Sequence, residues 1–71
     1  MATEVEAHIT GTVFKIETQV GASVAEGDTL VVLESMKMEL PVESPVAGTV
    51  SEVRVEEGQS VEEDEILVVI D

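Results

Sequence analysis

The 71-residue sequence contains no cysteine, tryptophan or tyrosine and only one phenylalanine. Without cysteine, the chain can form neither a disulfide bond nor a thiolate metal site. No apolar run approaches the roughly 18 residues that a membrane-spanning helix needs. The start of the chain, MATEVEAH, has no basic segment followed by an apolar stretch. We therefore predict no secretion signal, no membrane association and a cytoplasmic location.

Positive charge is also scarce, because three Lys and Arg residues accompany sixteen Asp and Glu residues, and the net charge is −13. Such a chain repels the phosphates of nucleic acids and anionic membrane surfaces, so nucleic acid is not an expected partner. We expect a soluble monomer. A chain this short lies near the lower limit for folding alone, so nearly every large apolar side chain must be buried. Little apolar surface remains for a substrate pocket, and we predict neither catalytic nor metal-binding residues.

The sequence repeats itself at an offset of 37 residues. Residues 5–34 align with residues 42–71 without a gap, and twelve of the thirty aligned positions are identical. Short runs rich in β-branched residues alternate with glycine-containing turns in both copies, which predicts four short strands in each. Asp64 aligns with Gly27, and aspartate tolerates a positive φ better than most residues, so this turn should be kept. No window has helical periodicity.

The repeat predicts the fold class. We expect a single all-β domain over residues 1–71, built as a flattened eight-stranded barrel or sandwich of two four-strand units related by an approximate two-fold axis. Neither unit can bury its apolar face alone, so the two must interlock. Lys37 lies at the junction of the two units, within the segment LESMKMELP of residues 33–41. The junction is predicted to form an exposed hairpin.

The residues around Lys37 are unusual for an acidic protein, since Met36 and Met38 flank it and Glu34 and Glu39 lie outside them. Exposed methionines are typical of adaptable binding surfaces. A lysine acts as a base or Schiff-base nucleophile where burial or nearby cations favour the neutral amine, whereas glutamates favour the charged ammonium. Lys37 is therefore better suited to being acylated by another enzyme. The alternative is an ordinary surface lysine with weak ion pairs.

The segment ESMKMELPVESPVAGTV, residues 34–50, closely resembles the attachment region of biotinyl domains in the biotin/lipoyl attachment family. The segments VGASVAEGDTL and EGQSVEEDEIL extend this resemblance over the whole chain, which is most similar to small free-standing biotinylated proteins. In this family, Met-Lys-Met marks biotin attachment, whereas lipoyl domains usually have Asp-Lys-Ala. The resemblance implies the following site residues: Lys37 for covalent attachment of biotin, Met36 and Met38 for recognition, and Glu34, Ser35 and Glu39 on the flanks of the hairpin.

The resemblance also implies a carrier that is not itself an enzyme. A biotin protein ligase would transfer biotin from biotinyl-adenylate to Lys37. The carrier would then move carboxyl groups between a biotin carboxylase site and a carboxyltransferase site. Two alternatives remain open, namely a lipoyl carrier and an unmodified module that binds a partner through its methionines. The single histidine, His8, is predicted to be a surface strand residue without a functional role.

Overall fold

Eight strands in two four-stranded antiparallel sheets make up the fold of residues 2–71, the part of the chain that the computed structural model describes. The first unit contributes four strands: β1 (Thr3–Glu6), β2 (Gly11–Ile16), β3 (Ser23–Val24) and β4 (Thr29–Ser35). The second contributes the other four: β5 (Met38–Glu43), β6 (Gly48–Val53), β7 (Ser60–Val61) and β8 (Ile66–Ile70). The predicted all-β class and the four strands per unit are confirmed. No helix in this part of the chain is long and apolar enough to cross a membrane.

The two sheets interlock as the repeat predicts. Their strand orders are β1-β8-β6-β3 and β5-β4-β2-β7. Replacing each strand of the first sheet by its counterpart 37 residues away gives the order of the second sheet, so one symmetry operation relates the two. Each sheet takes two strands from each unit, and neither unit forms a sheet of its own. Thr3 of β1 pairs with Ile70 of β8, which brings the two described ends of the chain together.

The core lies between the sheets and consists mainly of valine and leucine. The Leu-Val pairs at positions 30–31 and 67–68 are completely buried, as their nearly continuous apolar runs predict. The buried apolar residues are Val5, Ala7, Val13, Leu30, Val31, Leu33, Val42, Val50, Val55, Val61, Leu67, Val68, Val69 and Ile70. The expectation that nearly every large apolar side chain is buried is wrong for four residues. Phe14, Val20, Met36 and Met38 are exposed, and two of them flank Lys37.

The repeated turns behave alike in the two units. Gly27 has a φ of 91°, and the aligned Asp64 has a φ of 74°. The prediction that aspartate can take the place of glycine in this turn is therefore confirmed. Its side chain costs some free energy there, because a left-handed backbone brings Cβ close to the following carbonyl oxygen.

Two glycines permit close packing at equivalent places. A Cβ atom built on Gly11 would lie 2.7 Å from the carbonyl oxygen of Glu34. A Cβ on Gly48, 37 residues later, would collide with the carbonyl oxygen of Asp71 and lie 2.8 Å from Cγ2 of Ile70. Glu34 and Asp71 are themselves 37 residues apart. The two-fold relation therefore extends to these contacts, and Gly11 fixes the start of β2 against the strand that leads to Lys37.

Candidate functional site

A two-residue hairpin carries Lys37. β4 and β5 pair in antiparallel register up to Ser35 and Met38, which leaves Met36 and Lys37 as the whole loop. The exposed hairpin predicted at the junction of the two units is therefore confirmed. Since β4 is a central strand of its sheet and β5 is at the edge, the core anchors one arm of the hairpin while the tip lies outside it.

The backbone of the hairpin tip is left-handed at both loop residues. Met36 has a φ of 52° and Lys37 a φ of 65°. Positive φ at both central residues is the signature of a type I′ turn, which matches the twist of the flanking strands and is usually built from Asn-Gly. A side chain in this conformation costs roughly 1–2 kcal/mol per residue. Sequence reasoning missed this feature, although the placement of exactly two residues between paired strands would have indicated a primed turn.

The side chains at the tip are accessible to solvent. Met36 is 88% exposed and Met38 is 57% exposed, and Lys37 between them is also exposed. None of the three belongs to the core. The tip therefore presents an amine on a flexible stem between two apolar thioethers. Met36 and Met38 are available for contact with another molecule, since the fold does not use them for its own packing.

The glutamates on the flanks of the hairpin face each other. Glu34 and Glu39 are directly opposite in the β4–β5 pairing, and both are exposed. Like charges in such a cross-strand pair are destabilising. Ser35 is half-buried and pairs with Met38 at the last rung before the turn. The structure thus brings all six predicted site residues together on one hairpin.

Lys37 differs from the other basic side chains in having no ion pair within the described residues. Lys15 Nζ lies 3.3 Å from Glu17 Oε1, and Arg54 Nε lies 2.6 Å from Glu52 Oε1. These two pairs occupy symmetry-equivalent positions with the charges exchanged, because residues 15 and 17 align with residues 52 and 54. Among residues 2–71, no carboxylate is within ion-pair distance of Lys37, so the structure does not show the ion pair that the surface-lysine alternative expects.

The nearest cleft described beside the hairpin does not include Lys37. A shallow cleft of 360 Å³ near the base of β5 is lined by His8, Ile9, Leu33, Leu40, Pro41 and Val42. Lys37 is not part of its lining. Within residues 2–71, no group of three His, Asp or Glu side chains is placed to hold a metal ion. An exposed amine without a neighbouring base can receive an acyl group that another protein has activated, and it is poorly placed to carry out a reaction itself.

His8 lies on the surface as predicted, but its predicted strand position is wrong. β1 ends at Glu6, and residues 8–10 form a bend before β2 begins at Gly11. Ala7 is buried, donates its N–H to the carbonyl of Glu65 and accepts from the N–H of Asp64, so the chain stays bonded to the segment before β8 as far as Ala7 and bends only after it. The pairing of β1 also shifts register between Val5 and Glu6.

The left-handed turn allows a prediction about stability. The double variant Met36→Asn/Lys37→Gly should be more stable than the natural protein by about 1 kcal/mol, because Asn-Gly adopts a type I′ turn with little strain. Urea unfolding would measure the difference. Lys37→Arg is the matched control, since it retains a side chain at both positive-φ positions. Equal or lower stability of the Asn-Gly variant would show that the turn is not strained.

The comparisons with known proteins identify the class of domain that carries this exposed hairpin. The chain belongs to the biotin/lipoyl attachment family, because residues 1–70 match the family model described as "Biotin-requiring enzyme". The family predicted from the segment around Lys37 is therefore confirmed.

The curated relatives that the chain matches are described as biotinylated proteins. The chain is 52% identical over 42 residues to "Biotinylated protein TB7.3 homolog" of Mycolicibacterium smegmatis and 48% identical over 42 residues to the homolog of Mycobacterium leprae. It is 45% identical over 42 residues to "Biotinylated protein TB7.3" of Mycobacterium tuberculosis. Each alignment covers 59% of this chain and 59% of the relative. The chain thus matches about three fifths of the length of these relatives.

Solved structures confirm the fold. A single-chain, multi-domain long-chain acyl-CoA carboxylase matches 96% of this chain with a TM-score of 0.90 and 35% identity. The urea carboxylase of Kluyveromyces lactis matches 100% of it with a TM-score of 0.95 and 30% identity. The matched regions are 7% and 6% of those longer chains. Together, the family, relatives and structures support a biotin carrier function for this domain and biotin as its covalent cofactor.

Proposed function

We propose that this protein is a biotin carboxyl carrier in which Lys37 is the attachment residue. A biotin protein ligase forms an amide bond between the biotin carboxyl carbon and Nζ of Lys37, and AMP leaves from biotinyl-adenylate. The observation that carries the proposal is the position of Lys37 at the tip of an exposed two-residue turn between two exposed methionines. The carrier then serves a biotin carboxylase site and a carboxyltransferase site.

Lys37 has two roles in this proposal. Lys37 supplies the acceptor amine and, after acylation, the stem of a movable arm. The ligase must supply the base that removes the ammonium proton, because the described side chains place none beside Nζ. When bound, biotin supplies the ureido nitrogen that accepts a carboxyl group. The hairpin holds the base of the arm outside the core, and tethering raises the local concentration of biotin at each partner site.

The surface charge favours basic partners. The net charge of −13 attracts positively charged surfaces over several ångströms and accelerates encounter at low ionic strength. Glu34 and Glu39 are exposed on either side of Lys37 and form no ion pair within the described residues, so they can contact basic side chains of a docked partner. The same charge opposes self-association, which supports a monomer. A cytoplasmic location, where ligase and carboxylase components would meet the carrier, belongs to the same proposal.

The intact mass of the protein tests the proposal. The purified protein is incubated with a biotin protein ligase, biotin and ATP, and in parallel with a lipoyl ligase and lipoic acid. We expect a mass increase of one biotinyl group in the first reaction and none in the second. A lipoyl adduct without a biotin adduct would show that the protein is a lipoyl carrier. Absence of both adducts would favour an interaction module that works without modification.

The two methionines should affect recognition and leave stability unchanged. Replacement of both by leucine, Met36→Leu/Met38→Leu, keeps apolar side chains of similar volume and removes the polarizable sulfur atoms. We expect biotinylation to slow several-fold, which corresponds to a loss of about 1 kcal/mol in transition-state binding. Unfolding in urea should change by less than about 0.5 kcal/mol, as is usual for surface positions.

Labelling kinetics with the ligase provide the measurement, and the exposed Val20→Leu is a suitable control because it changes an apolar residue outside the hairpin. If the double variant were labelled at the natural rate, the two methionines would not contribute to recognition by the ligase.

A further inference from the structure

Methionine is the only readily oxidised residue type in this chain. The sequence has no cysteine, tryptophan or tyrosine, and its three methionines are at positions 1, 36 and 38. Cysteine and methionine are the side chains that peroxides attack under mild conditions. Two of the three targets of a mild oxidant therefore flank the acceptor lysine.

The structure leaves both of these sulfur-bearing side chains open to solvent. Met36 is 88% exposed and Met38 is 57% exposed, whereas most apolar side chains of the chain are buried between the sheets. The two-residue turn holds Met36 at the tip, and Met38 is the first residue of the edge strand β5. Oxidation of an exposed methionine proceeds without unfolding, since an oxidant can approach the thioether directly.

We propose that Met36 and Met38 form a redox modification site that controls the loading of Lys37. Oxidation of either thioether to the sulfoxide slows attachment of the cofactor, and reduction restores it. The inference rests on the proposed function, because it concerns the reaction by which the ligase acylates Lys37. It goes beyond that function by making the attachment reaction sensitive to the redox state of the cell.

The chemistry requires a peroxide-class oxidant for the forward step and a dithiol reductant for its reversal. The thioether sulfur attacks one oxygen of hydrogen peroxide, the O–O bond breaks, and water leaves as the sulfur gains an oxygen atom. The sulfur is oxidised by two electrons and the peroxide is reduced by two. Reduction back to the thioether takes two electrons from a dithiol reductant, which is oxidised to a disulfide while the sulfoxide oxygen leaves as water. It needs two enzymes, since each methionine sulfoxide reductase acts on one of the two sulfoxide epimers.

The physical consequence is local. A sulfoxide is polar and chiral, whereas the thioether is apolar and adaptable. Any ligase that covers the tip must desolvate the sulfoxide oxygen, which is unfavourable unless a donor is present to satisfy it. We expect the kcat/KM of biotinylation to fall about tenfold, mainly through an increase in KM. The fold should be unaffected, because neither methionine belongs to the core.

The test uses unmodified protein, so that the thioether of biotin itself is not a target. The protein is treated with hydrogen peroxide, the oxidant is removed, and added oxygen atoms are assigned by intact and fragment masses. Initial rates of biotinylation are then measured with untreated ligase, before and after treatment with the two sulfoxide reductases together and a dithiol as their reductant. We expect a loss of about tenfold that the reductases reverse, with an unchanged circular dichroism melting curve.

Met36→Leu/Met38→Leu is the matched control, since Met1 is then the only methionine left. Peroxide should leave its labelling rate unchanged, whatever that rate is relative to the natural protein. An equal loss in this control would assign the effect to Met1 or to other damage and overturn the inference.

Three further outcomes would also overturn it: labelling of the oxidised protein at the original rate, failure of the reductases to restore the rate, or a lowered melting temperature after oxidation. Failure of the proposed function is seen separately, because the protein would then remain unlabelled before any oxidant is added.

Discussion

Lys37→Arg should abolish biotinylation and leave the stability of the protein unchanged. A guanidinium group keeps the positive charge, but it stays protonated and does not accept the biotinyl group as an amine does. The side chain is exposed, has no ion pair within the described residues and lies outside the core, so its replacement removes no packing contact. Intact masses after ligase treatment and urea unfolding curves would be compared for the two proteins.

Two results would contradict this expectation. A biotin adduct on the variant would place attachment elsewhere, and Lys15 is the only other lysine. Lys15 lies in β2, beside the glutamate with which it is paired, so its acylation would also argue against the hairpin as the recognition surface. A large fall in the unfolding midpoint would show that Lys37 contributes to the fold.

Gly11→Ala should destabilise the protein by about 2–3 kcal/mol, within the range for overpacking of a well-packed site. For a domain of this size, this corresponds to a fall in Tm of roughly 10–20 °C. The added Cβ would lie 2.7 Å from the carbonyl oxygen of Glu34, a backbone atom that cannot move without displacing β4. Thermal unfolding followed by circular dichroism would measure the effect. Biotinylation should also slow, because β4 leads directly into the hairpin that carries Lys37.

Gly21→Ala is the control that separates crowding from backbone strain. Gly21 has a φ of 91°, and nothing lies within 4 Å of a Cβ built on it. Its replacement should cost only the strain of a left-handed residue, about 1–2 kcal/mol, with no effect on labelling. If Gly11→Ala were no more destabilising than Gly21→Ala, the close approach of β2 to Glu34 would not constrain the fold.

The hairpin combines several locally unfavourable features with the functional residues. Met36 and Lys37 occupy left-handed conformations, and Glu34 faces Glu39 across the strands. Exposed methionines add apolar surface that the fold does not bury. Such conflicts are expected at functional sites, where sequence choices serve a partner and other interactions maintain stability. The Asn-Gly variant would separate the requirement for stability from the requirement for labelling, since it should gain stability while losing the proposed acceptor amine.

Several features of this protein followed from the sequence alone. The 37-residue repeat predicted two four-strand units, because equal spacing of β-branched runs and glycine turns places equivalent residues on equivalent strands. Since a four-strand unit this short cannot bury its apolar face, interlocking of the units also followed. The segment around Lys37 indicated the family, and it predicts Lys37 as the attachment residue. The break in the repeat at residues 35–41 placed Lys37 at the junction of the two units.

Only the tertiary structure decided how the strands pair and what conformation the junction adopts. The order β1-β8-β6-β3 depends on contacts between residues far apart in sequence, which local patterns do not specify. The left-handed φ values of Met36 and Lys37 arise because the register of β4 and β5 leaves two residues to reverse the chain, overriding their own preference. His8 lies in a bend for a related reason, since the ladder of β1 ends where Ala7 enters the core. The sequence determined which residues are available for function, whereas packing of the two sheets determined the geometry in which they are presented.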